Sequence, residues 1–180
     1  MWEYGFKWPH YSGFDAPYSS VLAQAEGLIL LTRAHNITGS DHYLAATKKA
    51  FGAFMVDYDA GGVASSEGPD SAFLQILAKP GAQKTYVLNG HTGSLIYIWR
   101  YYEYTHDYRA LIVFGKAINW LVNNIDRYDT GDWSYYDLKG HVARDNYHRG
   151  QTMQIEMLYD ITGEPVLKEY SDRFTAYAAY

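Results

Sequence analysis

Between Tyr128 and His148 the chain interleaves Trp133, Tyr135, Tyr136 and Tyr147 with Lys139, Arg144, His141 and His148, and Arg149 follows. Flat rings stack on pyranose faces, phenols donate hydrogen bonds, and cations neutralise carboxylates. Together these residue types point to an anionic sugar. His91 and His148, with Asp145, are the nearest approach to a metal set. They lack H-x-x-x-H or any comparable spacing, so no metal is expected, and nothing calls for another cofactor.

The whole chain agrees with a small-molecule or polymer surface more than with other partners. It has 180 residues and is 48% hydrophobic and 19% charged, enough for one folded domain spanning residues 1–180. A net charge of -5 argues against nucleic acid, which selects basic faces. No apolar run is long enough for a membrane span, and the start Met1-Trp2-Glu3-Tyr4 lacks the basic and apolar parts of a signal peptide. A soluble domain is expected. Absence of Cys excludes disulfides and thiolate zinc sites without fixing a compartment. The 19 tyrosines suit either an aromatic core or a sugar cleft.

Helical periodicity must position these residues. It predicts helices around Val21–Thr32, Tyr43–Phe54, Leu95–Tyr102, Tyr108–Val122, Ile155–Tyr159 and Val166–Tyr177, with Pro165 in the last one's first turn. Three short connections, Asn36–Asp41, Tyr104–Asp107 and Ile161–Pro165, resemble one another and suggest a diverged hairpin repeat. The long connections, about Asp57–Leu88 and Asp126–Asn146, hold Gly, Asp and Ser clusters and β-like runs such as Thr85–Leu88. Hairpins in series place all long connections at one end. The segments before Ser19, through Asn89-Gly90-His91, and through Tyr147-His148 should then share a rim of helix N-termini suited to a carboxylate. The expected fold is all-α, an α/α hairpin toroid (an incomplete α/α barrel) with short β-hairpin insertions in the long loops.

Several segments occur in a telling order: Pro17-Tyr18-Ser19-Ser20-Val21-Leu22-Ala23-Gln24, Val87-Leu88-Asn89-Gly90, Tyr128-Asp129-Thr130-Gly131, Tyr136-Asp137-Leu138 and Tyr147-His148. The series resembles the C-terminal helical domain of D-glucuronyl C5-epimerases, enzymes of heparan-type polysaccharides. The resemblance implies an α/α barrel-like domain, a uronic-acid polysaccharide as partner, and tyrosines as acid–base groups at Tyr136 and Tyr147. The chain departs from the family at Lys79, where a further tyrosine is usual, and at Lys139, Gly140 and Gln151. The family carries a preceding β-rich domain and more helices. Three hairpins do not close its ring, which predicts a piece of a longer protein or a cleft completed by homo-oligomerisation.

Epimerisation at C5 of a uronate removes a proton beside a carboxylate and returns one from the opposite face. On this reading Tyr136 and Tyr147 stand on opposite faces, with a phenol lowered by a nearby cation. Lys139 holds the carboxylate, helped by Asn89 or His148, and Arg144 holds a neighbouring sugar. Tyr18, His91 and Trp133 complete the expected binding surface. A uronate lyase, a non-catalytic sugar-binding module and a structural scaffold are the competing readings.

Overall fold

Among residues 1–179, which the computed structural model describes, six α-helices follow one another as three hairpins. The first pairs α1 (Val21–Thr38) with α2 (Asp41–Phe51), the second α3 (Leu88–Thr105) with α4 (Tyr108–Val122), and the third α5 (Asp145–Thr162) with α6 (Pro165–Tyr177). Helix α1 packs on α2 and α3, α3 on α4 and α5, and α5 on α6. The odd-numbered helices therefore form a row, each backed by its partner. Two small antiparallel strand pairs complete an all-α fold with short hairpins. β1 (Glu3–Tyr4) pairs with β2 (Tyr18–Ser19), and β3 (Ala64–Ser66) with β4 (Ala72–Leu74).

The three tight turns are built alike. Each odd helix ends on a threonine whose hydroxyl donates to the carbonyl four residues back: Thr38 to Ala34, Thr105 to Tyr101, Thr162 to Leu158, at 2.7–2.8 Å. The next residue, Gly39, His106 or Gly163, is left-handed and donates its N–H to the carbonyl of His35, Tyr102 or Tyr159. The residue after it donates its N–H to the same threonine oxygen at 3.2 Å. The orphan carbonyls and N–H groups of a helix–helix junction are thus satisfied locally.

Three sequence expectations shift. Helix α3 starts at Leu88, earlier than its apolar pattern shows, because its first turns carry Gly90, Thr92, Gly93 and Ser94, which are small or polar yet buried. The run Thr85–Leu88 is not a strand: Tyr86 has φ 54°, and the N–H groups of Thr85 and Tyr86 both donate to the Gln75 side-chain oxygen. The hairpin of that long loop is β3–β4 instead. Much of the tyrosine content is core, since Tyr18, Tyr58, Tyr101 and Tyr128 are fully enclosed. Tyr101 stacks on Phe51 with centroids 4.8 Å apart.

Candidate active site

Two glycine-assisted turns, Asp129–Ser134 and Tyr135–Val142, shape the aromatic stretch, with Gly131 and Gly140 at positive φ. The N–H of Tyr136 donates to the His141 carbonyl at 2.7 Å, and the N–H of Leu88 donates to the Tyr136 carbonyl at 3.0 Å. The second bond ties the loop to the start of α3. Arg144 then caps α5, and Tyr147 lies in that helix's first turn. From the other end of the chain, β1–β2 pairing folds residues 5–17 back on themselves and brings Trp8, His10 and Tyr11 over the loop.

The result is a pocket of about 400 Å³ lined by Tyr11, Tyr136, His141, Arg144 and Tyr147, together with Trp8, His10 and Val142. Under it lies Asp137, fully buried. A buried carboxylate needs donors, and Asp137 has four. One oxygen takes the N–H groups of Lys139 and His141 at 2.9 and 3.1 Å. The other takes His141 Nδ1 at 2.7 Å and the Tyr11 hydroxyl. Burial, and then the Asp137 carboxylate, push the Tyr11 phenol well up.

Tyr136 and Tyr147 meet edge to face, with ring centroids 4.9 Å apart. That is contact distance for aromatic pairs, so no pyranose ring fits between them. The pair makes one wall of the pocket and does not flank a sugar. Burial foremost, then Tyr147 and Asp137, push the Tyr136 phenol up to about 12, the opposite of the expected lowering by a cation. Lys139 is exposed on the turn and does not line the pocket. Arg144 is the cation that does.

The other expected binding residues belong to the framework. His148 is fully buried, accepting from the Ser134 hydroxyl on Nδ1 (2.6 Å) and donating from Nε2 to the Phe174 carbonyl (2.8 Å). Trp133 stacks on it at 3.7 Å, and the Trp133 indole N–H donates to the Ala143 carbonyl. Burial holds the His148 ring neutral by lowering its pKa. His91 accepts the Leu74 N–H on Nδ1 (3.0 Å), contacts the Ala117 carbonyl through Nε2 (3.2 Å) and stacks on Phe73. Burial lowers its pKa to about 3. Tyr18 is 2% exposed within a small aromatic cluster with Phe14 and Leu77. Asn89 sits in the first turn of α3 outside the pocket lining. Lys79, where the resemblance led us to expect a tyrosine, gives its ammonium to the Asp15 carbonyl at 2.5 Å.

The expected rim is only partly open to anions. The first N–H of α3 is taken by Tyr136, and that of α1 by the Gln75 carbonyl. Only the start of α5, with Arg144 and Tyr147, lies at the pocket. Tyr11 and the pairing of His141 with Asp137 are the site features sequence reading missed. Asp137 stood inside a quoted motif and His141 within the aromatic stretch, but Tyr11 is 126 residues from Asp137 and carries no local signal.

Known proteins give this geometry a family. A protein of Methanocaldococcus jannaschii described as uncharacterized is 28% identical over 171 residues, covering 94% of this chain and 55% of its own length. A Caenorhabditis elegans D-glucuronyl C5-epimerase is 27% identical over 180 residues, covering 89% of this chain and 29% of its own length. The chain therefore spans 29% to 55% of the length of these relatives. The profile described as D-glucuronyl C5-epimerase C-terminus matches residues 1–176. The chain belongs to the family of the D-glucuronyl C5-epimerase C-terminus.

Proposed function

We propose that this chain binds a uronic-acid polysaccharide in the Tyr11–Tyr147 pocket and inverts C5 of D-glucuronate residues. The observation that carries the reading is the gathering of Arg144, Tyr136 and Tyr147 in one pocket of a chain from this family. Arg144 offers the bidentate partner that a uronate carboxylate requires as charge develops on it. Tyr136, protonated at neutral pH, suits the donor role. The proton leaves C5 and its electron pair spreads into the carboxylate; a proton then returns to the other face. A ring closed by further hairpins or by a second copy would deepen the groove for a polymer.

Lys79 supports a second reading, a non-catalytic binding module. It stands where the resemblance led us to expect a tyrosine, and its ammonium is held by Asp15 outside the pocket. One experiment separates the readings. A glucuronate polymer incubated with the protein in deuterated water gains deuterium at C5 if the epimerase reading holds. Polymer bound without exchange leaves the binding module, and unsaturated chain ends indicate a lyase. Tyr147→Phe is expected to reduce exchange by about 100-fold or more.

A further inference from the structure

Asp137 and His141 form a pair that the family resemblance did not supply. The imidazole Nδ1 lies 2.7 Å from a carboxylate that is wholly buried and held by three other donors. A carboxylate so placed fixes Nδ1 as the protonated nitrogen. The remaining nitrogen, Nε2, has no hydrogen-bond partner among the described residues, and the His141 side chain is 59% exposed on the pocket lining. An imidazole with one nitrogen tied to a buried carboxylate and the other open to a cleft is the arrangement of an oriented general base.

The pocket holds no other imidazole oriented by a carboxylate among the described residues. Tyr136 and Tyr147 touch each other and cannot take opposite faces of one sugar ring. The phenol of Tyr11 is committed to Asp137. Lys139 points away, and His148 and His91 are enclosed with both nitrogens engaged. His10 lines the pocket without a carboxylate partner among the described residues.

We propose that His141 Nε2, oriented by Asp137, is the proton acceptor of this pocket, with Asp137 and Tyr11 as positioning residues. The proposal rests on the epimerase reading. In the step, the C5–H bond breaks, its electron pair moves into the C5–carboxylate bond, and the proton goes to Nε2. The imidazolium formed pairs with the Asp137 carboxylate. A tyrosine hydroxyl of the facing pair then gives its proton to the other side of C5. Water takes the imidazolium proton and restores the phenol, so one proton leaves, one arrives, and no co-reactant is consumed. Tyr136, pushed up to about 12 chiefly by burial, fits the donor side of this division.

The test uses the whole protein, a glucuronate polymer and deuterated water. His141→Ala is expected to slow C5 exchange about 100-fold or more while polymer affinity stays within about threefold, with added imidazole restoring part of the rate. His141→Asn, which keeps a donor toward Asp137, is expected to fold as the unaltered chain and to be equally slow. Asp137→Asn and Tyr11→Phe are expected to lower kcat with little change in KM. Exchange within about threefold of the unaltered protein in folded His141→Asn overturns the proposal and leaves the epimerase reading standing. So does a loss confined to His10→Ala. No exchange by the unaltered protein removes both readings together.

Discussion

Arg144 and Lys139 are five residues apart, yet only one of them reaches the pocket. Lys139 sits at the turn between Asp137 and Gly140, where its N–H is committed to Asp137 and its side chain runs into solvent. Arg144 sits at the N-cap of α5 and lines the cleft. Arg144→Ala is therefore expected to weaken binding of a glucuronate oligosaccharide about 10-fold or more, the scale of a lost charge-assisted hydrogen bond. Lys139→Ala is expected to stay within about twofold in the same calorimetric titration, as exposed charges contribute little. Equal losses in both variants would return Lys139 to the site. At this scale the sequence put both cations in one stretch without saying which of them lines the cleft, because a loop has no periodicity to say which side chains face inward.

The elements were more legible. Helix α4 matches its predicted span at both ends, and α6 starts at the expected Pro165, because apolar spacing, caps and Pro are local signals. Asp107 illustrates such a cap. It accepts the Arg109 N–H at 3.1 Å, and the Arg109 guanidinium beside it holds its carboxyl down at about 2. The repeated threonine turn is a second local device. Gly163 is left-handed at φ 71°, so Gly163→Ala is expected to cost about 1 kcal/mol and to lower Tm by about 2–4 °C in a calorimetric scan. An unchanged Tm would mean that this turn relaxes without strain. What the elements did not reveal was the early start of α3, whose first turn is held by contacts with Tyr136 and Ile76 and not by its own composition. A Cβ at Gly90 would lie 2.7 Å from the Ile76 side chain.

At the level of the whole molecule, buried histidines tie the hairpins together. His91, in α3, links the end of β4 to α4, and His148 links the aromatic loop and α5 to α6. Both stay neutral in the fold because burial lowers their pKa. An unfolded histidine titrates near ~6.5. Stability from these groups is thus complete above that pH and is lost as acid protonates the unfolded chain, down to about 3 for His91. At pH 5 the loss from His91 alone is about 2 kcal/mol relative to pH 8. Urea unfolding at the two pH values should show the lower midpoint at pH 5. Equal midpoints would mean that His91 is protonated within the fold.

The sequence by itself determined the six helices, the three like turns, the all-α class and the family, since these follow from short-range spacing and ordered motifs. It also put forward Tyr136, Arg144 and Tyr147, which lie within one stretch of loop and helix start and line one pocket. Only the tertiary structure decided what surrounds them. Packing buried Tyr18, His91 and His148 as framework, because hairpin stacking encloses whichever side chains face the next helix. Strand pairing at the N-terminus carried Tyr11 across 126 residues to Asp137, and that contact, invisible to any local window, set the imidazole of His141 in the cleft.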